Sequence, residues 1–376
     1  MHGSWATILG MRDDDCVKSP ESFTTTASTQ DSAAFMDTDT PRAPALDELD
    51  LAIVHALQIQ PRVPWVRVGK VLEVDAVTVA RRWERLVGAG VAWVDGYLSP
   101  DHDEGVYAQV EIDMNGRLSE ASIGLLARDP QVLSLKQTSG GRDLLAIVAA
   151  ADLDGLARLS GERMSQLPGV RAVRSHVITA APFEGASWRL RSLTRQQRGA
   201  LAVERPALPD EPLRPLDRRI ALALGADGRM PLTDLAESVG ASAATVRRRL
   251  RVLTGTGRLS LRCALARPLT GFPVSVVYFG SVPAQHLDET VNALRTLPGL
   301  RMCSITAGAH NLMLDIWLPA LSEVHTTEAL LNSRLAHLDL RITERAVVLR
   351  TVKHVGRILD RRGHSVGSAP LNYWDS

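Results

Sequence analysis

The chain has 376 residues, 45% of them hydrophobic and 23% charged, with a formal net charge of +1. That length suggests about two to four domains, and near-neutrality excludes a global electrostatic pull on nucleic acid, so any DNA contact must come from locally concentrated charge. No apolar run approaches the roughly 20 residues of a membrane helix, and no basic-then-apolar leader opens the chain, so a cytoplasmic protein without membrane contact is expected.

Residues 1–42 are rich in Ser, Thr, Asp and Ala and show neither helical nor strand period, which predicts a disordered arm. From Leu46, helical spacing of Leu49, Ile53, Ala56 and Leu57 is followed by a short helix after Pro64. A third helix starts at Asp75, with Val79, Trp83 and Leu86 on one face and Gly88 to Gly90 at its end. Three short helices predict a helix-turn-helix domain over 43–99, with Val91 to Leu98 as a small β-wing.

Alternation then predicts strands at 106–114, 132–138, 144–150 and 170–178, with helices at 118–128 and 153–167. The order βαββαβ over 103–180 is that of a ferredoxin-like sandwich. A linker over 181–212 holds a basic amphipathic piece, Trp188 to Ala202, and a proline-rich stretch from Pro206 to Pro215 that reads as a stiff spacer.

The chain then repeats itself. At a constant offset of 167 residues, Asp50 meets Asp217, Ile53 meets Ile220, Arg62 meets Arg229, Thr78 meets Thr245 and Arg81-Arg82 meet Arg248-Arg249. One residue further on, Thr138 meets Thr306 and Leu144 meets Leu312. So long a period indicates a duplicated module. The second copy predicts a helix-turn-helix domain over 213–268, a sandwich over 271–356 and a flexible tail over 360–376. The expected fold is α+β, two repeats, each a winged helix-turn-helix followed by a ferredoxin-like βαββαβ sandwich.

Arginines cluster on the third helix of each unit, where they can neutralise phosphates or reach guanine edges. Candidate DNA contacts are Thr78, Arg81, Arg82 and Arg85 in the first unit and Ser242, Thr245, Arg247, Arg248, Arg249 and Arg251 in the second. Residues 75–89 set three arginines against Asp75 and Glu84, whereas 242–258 hold five arginines and no acid. The second helix is therefore expected to dominate. Thr138, Gly140 and Asp143 sit between two strands, where a tight turn and a small-molecule contact are both open readings.

Cys16, Cys263 and Cys303 lack metal-ligand spacing, and His102, His176, His310 and His337 form no ligand pair on one helix. With no phosphate loop and no Gly-x-Ser-x-Gly elbow, no catalytic residue, metal or cofactor is expected.

Both units resemble the Lrp/AsnC, or feast-famine, family of bacterial and archaeal transcriptional regulators over residues 46–180 and 213–355. The resemblance is carried by Leu49-Asp50 and Leu216-Asp217, the Asp-Gly-Arg-Met-Pro run at 227–231, the Arg-Arg pairs, and the Thr-x-Gly-x-x-Asp run at 138–143. It implies helix-turn-helix domains that bind double-stranded operator DNA. It also implies sandwiches that assemble and sense a small molecule, often an amino acid or related metabolite, at Thr138, Gly140, Asp143 and their counterparts Thr306, Gly308 and Asn311. Because members usually carry one unit and dimerise, the tandem chain looks like a fused dimer whose chains associate further into a homodimer. The second copy departs at Asn311, where the first has Asp143, and at Ala336-His337, where the first has Pro168-Gly169. Two other readings share the layout: an enzyme similar to siroheme decarboxylases, and a scaffold with one vestigial DNA-binding domain.

Overall fold

Asp47 opens the first helix, α1 (Glu48–Ile59), through a reciprocal cap: its carboxylate accepts from Asp50 N at 2.9 Å and its own N donates to Asp50 at 3.2 Å. Helices α2 (Trp65–Leu72) and α3 (Ala76–Gly88) complete the first trihelical unit. The computed structural model describes residues 46–99, 105–116, 120–183, 188–202 and 211–374. The expected arm at 1–42, with Cys16, and the Pro206–Pro209 part of the expected spacer lie outside them.

Strand β1 (Ala92–Leu98) leads to β2 (Val106–Met114), α4 (Glu120–Arg128), β3 (Val132–Thr138), β4 (Leu144–Ala150), α5 (Leu153–Ala157, continued by π-helical turns to Met164) and β5 (Val170–Phe183). After α6 (Arg195–Leu201), the second half repeats the order with α7 (Pro215–Ala226), α8 (Leu232–Ser238), α9 (Ala243–Gly255) and β6 (Leu259–Leu265). It continues through β7 (Val274–Ser281), α10 (Leu287–Leu294), β8 (Leu300–Ala307), β9 (Leu312–Leu318), α11 (Glu323–Arg334) and β10 (Arg341–His354). Two short strands, β11 (Arg357–Leu359) and β12 (Ser365–Ser368), follow.

Each half orders its four strands alike, β3-β4-β2-β5 and β8-β9-β7-β10, all antiparallel. The halves join edge to edge at β5–β8 and β10–β3, so the eight strands close into a ring. Closure removes the edges that either half alone would expose. Strand alternation then sorts side chains. Ala108, Val110 and Ile112 face α4 and α5, and Val276 and Tyr278 face α10 and α11, as two separate apolar cores. The intervening residues point into the ring, among them Tyr107, Leu145, Val277 and Phe279 with the buried polar Gln109, Glu111, Lys136 and Asp315.

Three expectations need correction. First, β1 is no wing hairpin. It pairs antiparallel with β6 from Ala92↔Leu265 to Leu98↔Leu259. The exchange buries Cys263 and Leu265 in the first trihelical core and Leu98 in the second. Glycine is needed where the ribbon passes closest, because a Cβ on Gly228 would lie 2.5 Å from Val94. Second, part of the linker is core. Leu190, Leu193 and Leu201 pack against α1, where His55 Nδ1 accepts from Ser192 N and Leu193 N, both at 3.1 Å. Third, the tail is not loose up to Trp374. Ser365 N donates to Gly90 O at 2.7 Å, and Tyr373 is 1% exposed against Tyr107 and Leu133. Backbone bonds such as Asn372 N to Pro130 O at 2.9 Å and a few apolar anchors, Leu371 and Tyr373 among them, hold it without forming a periodic pattern.

Candidate nucleic-acid interface and effector hairpins

Both third helices begin on a capped turn, Asp75 accepting from Val77 N at 2.7 Å and Ser242 accepting from Thr245 N at 3.2 Å. Val79, Trp83 and Leu86 of α3, and Val246 and Leu253 of α9, fill the cores beneath. What remains outward differs between them. On α9, Arg247, Arg248 and Arg251 are exposed and make no ion pair among the described residues, with Thr245 half-buried beside them. On α3 the same holds only for Arg81, next to half-buried Thr78.

Arg249 is not a DNA-facing residue. It is 2% exposed, its Nε and Nη2 bind the two carboxylate oxygens of buried Asp217 at 2.8 and 2.7 Å, and its Nη1 binds Glu211 at 2.5 Å. Val246, Arg249 and Leu253 share the inward face, a spacing that the sequence displayed but that its charge disguised. The first half repeats the bond more loosely. Arg82 binds Asp47 at 2.5 Å and Asp50 at 3.1 Å, while Arg85 binds Asp50 at 2.5 Å. These two arginines therefore brace α3 on α1, and the outward charge of the first helix falls to Arg81.

Two arginines missed by sequence reading fix the trihelical units to each other. Arg62 donates to Gly228 O and Met230 O at 2.7 Å each, and Arg229 donates to Pro61 O at 2.6 Å and Val63 O at 3.1 Å. Each thus grips the backbone on both sides of its counterpart, as a local two-fold requires. Burial, with Arg62 nearby, pulls Arg229 down to about 10.

The hairpin residues are held by internal bonds. Thr138 Oγ1 donates to Arg142 O at 3.0 Å, Asp143 accepts from Met114 N at 2.7 Å, and Gly140 takes φ +94°. Thr306 Oγ1 donates to His310 O at 2.5 Å, and Asn311 exchanges two bonds with Val282, N to Oδ1 at 2.9 Å and Nδ2 to O at 2.7 Å. The change from Asp143 to Asn311 therefore adds a donor that the local backbone uses. Each hairpin abuts the other half: a Cβ on Gly308 would lie 2.8 Å from His176, and one on Gly140 3.7 Å from Glu344. Arg142, buried, bridges Glu111 at 3.2 Å and Glu344 at 2.5 Å and lies 4.0 Å from the Phe279 ring centroid. Burial alone would raise the Glu111 carboxyl, but His176, Arg142 and Arg174 outweigh it and hold the group at about 2.

Residues 46–87 and 215–254 match the AsnC-type helix-turn-helix domain, and residues 107–188 match the Lrp/AsnC ligand binding domain. The chain thus carries two AsnC-type helix-turn-helix domains and one Lrp/AsnC ligand binding domain. An uncharacterized HTH-type transcriptional regulator of Pyrococcus abyssi is 28% identical over 137 residues, covering 36% of this chain and 87% of that protein. The proline dehydrogenase transcriptional activator of Rhodobacter capsulatus is 29% identical over 104 residues, covering 27% and 68%. Among solved structures, the siroheme decarboxylase NirDL with an iron-uroporphyrin III analogue aligns over 82% of this chain and 93% of its own, with a TM-score of 0.55 and 14% identity. That likeness is one of fold.

Among the described residues, no group of His, Cys, Asp and Glu is arranged to hold a metal, and no helix is long and apolar enough to cross a membrane. Cys263 and Cys303 are buried and unlinked, and burial pushes the Cys303 thiol up to about 12, which makes it inert as a nucleophile.

Proposed function

We propose that this protein is a cytoplasmic, sequence-specific DNA-binding transcriptional regulator of the Lrp/AsnC type, modulated by a small molecule such as an amino acid. Residues 43–99 and 213–268 serve as DNA-binding domains, and the ferredoxin-like sandwiches over 103–180 and 271–356 serve assembly and effector binding. The outward row Arg247, Arg248 and Arg251 on α9, with no acid on that helix, carries the reading. With one outward arginine on α3, the reader is asymmetric, the second unit gripping the phosphates and the first adding a weaker contact. The chains pair further into a homodimer, which light scattering tests. The experiment for the main claim is fluorescence anisotropy on the gene's own upstream DNA against random duplex at moderate salt. Preferential, salt-sensitive binding is expected, and equal affinity for both sinks the reading.

A second reading, a decarboxylase acting on a tetrapyrrole, draws on buried cations inside the ring. Against it, the two cavities there measure about 70 and 90 Å³, well below the roughly 300–1,000 Å³ of pockets for larger ligands. A Soret band in the purified protein would favour it, and a colourless protein that binds its upstream DNA would not.

A further inference from the structure

The two halves differ most in chemistry where their strands face the inside of the ring. The first half carries Tyr107, Leu133, Ile147 and Ala149; the second carries Ser275, Arg301, Asp315 and Trp317, each 168 residues later. Strand register reproduces the equivalence, since Tyr107 lies opposite Ala149 and Ser275 opposite Trp317. An apolar patch in one half is a charged one in the other.

Most of that charge is compensated. Lys136 is ion-paired with Asp315, which also accepts from Ser275 Oγ at 2.9 Å. Arg262 reaches Asp95 at 3.4 Å, and its Nη1 lies 3.3 Å from His354 Nε2. Arg301 is the exception. It is 6% exposed, makes no ion pair among the described residues, and its Nε and Nη1 have no hydrogen-bond partner. Its guanidinium stands over two rings, 4.0 Å from the Trp317 centroid and 4.8 Å from that of Trp188. Stacking offsets only part of the cost of burying a charge with unmade hydrogen bonds. Burial, with Arg262 nearby, pulls Arg301 down to about 9.

The cavities of about 70 and 90 Å³ share Arg301, Lys136, Asp315 and His354 among their walls. At roughly 30 Å³ per water molecule, each has room for a ligand of a few heavy atoms. We propose that this interior site binds a small organic carboxylate, its oxygens on the Arg301 fork and its carbon skeleton against the indoles of Trp317 and Trp188. The planar guanidinium matches a carboxylate with two parallel hydrogen bonds, and the aromatic walls select a carbon-bearing anion over a fully hydrated inorganic one. Trp93 and Cys263 wall one cavity and Tyr97 and Arg262 the other, so the ligand touches the β1–β6 ribbon that leads to both helix-turn-helix units. The site lies apart from the hairpins at 138–143 and 306–311. Only its regulatory meaning rests on the function proposed above.

The test titrates the full chain with sodium pyruvate, followed by tryptophan fluorescence, with sodium chloride at matched ionic strength as control and inorganic phosphate as a second arm. A saturable change with pyruvate, absent with chloride and weakened at least tenfold in Arg301→Gln, is expected, with Arg301→Lys intermediate. If Arg301→Gln does not fold, a saturable rise of the wild-type melting temperature with pyruvate, and its absence with chloride, reads the same binding. No saturable response to pyruvate, or undiminished binding by Arg301→Gln, overturns the site. A response to phosphate alone overturns the carboxylate assignment. DNA affinity measured without pyruvate reports separately, so its absence counts against the proposed regulator and leaves the site standing.

Discussion

Asp95 and Arg262 face each other at the centre of the β1–β6 ribbon, and each is the counterpart of the other in the duplication, 167 residues apart. A residue on a two-fold axis meets its own copy in a homodimer, so a charge there would meet a like charge. Fusion of two units into one chain lets the pair be unlike. Both side chains are buried, and Trp93 Nε1 also donates to Asp95 at 3.0 Å. Burial raises the Asp95 carboxyl, while Arg262 and Arg357 oppose that rise.

Removing one member strands a buried charge, which costs about 3–5 kcal/mol. Asp95→Ala is therefore expected to lower the urea midpoint strongly, and Asp95→Arg to prevent folding. The exchange Asp95→Arg with Arg262→Asp restores opposite charges and should recover a large part of the loss. A double variant no better than Asp95→Arg alone would show that the position is fixed by Trp93 and His354 and not by charge complementarity.

Acid should release the linker. His55 Nδ1 accepts two backbone hydrogen bonds, so the ring must be unprotonated there, and burial, with Arg198 and Arg189 nearby, pulls it to about 4 from 6.5. The folded state then binds fewer protons than the unfolded one below pH 6.5. Stability falls as pH drops from 6.5 towards 4, by about 2 kcal/mol with solvent screening allowed for. Denaturant melts across that window, compared with His55→Gln, check the sign. Equal pH slopes for the two proteins would remove His55 as the cause.

The sequence made the trihelical units readable because their caps, Asp75 and Ser242, stand directly before an apolar period that the cores use. The wing expected over Val91 to Leu98 likewise anticipated a strand at β1, although that reading named none at β6. Nor could it name the partner of β1, because pairing across 167 residues leaves no local signal. Arg249 was misplaced for a related reason. Its charge suggested solvent, while the acid that satisfies it, Asp217, lies a whole helix-turn-helix earlier. No motif marks Arg301 or His354, because it is closing the ring that covers the second sheet face and turns ordinary outward polar positions into buried ones.

The tail offers a stability test that its composition would not suggest. Tyr373 is 1% exposed and meets the Tyr107 ring edge-on at 6.2 Å, and a Cβ on Gly105 would lie 2.5 Å from its ring. Tyr373→Ala should cost about 3–5 kcal/mol, the range for deleting a buried aromatic. A loss below about 0.5 kcal/mol, the scale of surface changes, would mean that the tail does not contribute to the core.

The arginines of α9 divide into two kinds, and neighbouring substitutions should separate them. Arg248→Ala removes an outward charge with no ion pair among the described residues, so stability should stay within about 0.5 kcal/mol. Its effect belongs on DNA, where the slope of log affinity against log salt should fall by about one for each phosphate no longer neutralised, equally for specific and random duplex unless Arg248 also reads a base. Arg249→Ala instead leaves Asp217, 0% exposed, without its bidentate partner, which costs about 3–5 kcal/mol. Weaker DNA binding by that variant should therefore track unfolding of the second unit and return when the assay is cooled or the fold is otherwise stabilised. Anisotropy titrations at several salt concentrations, paired with urea melts, read both quantities on the same samples. Wild-type stability with lost DNA affinity in Arg249→Ala would reassign that residue to the interface and contradict the burial argued for it.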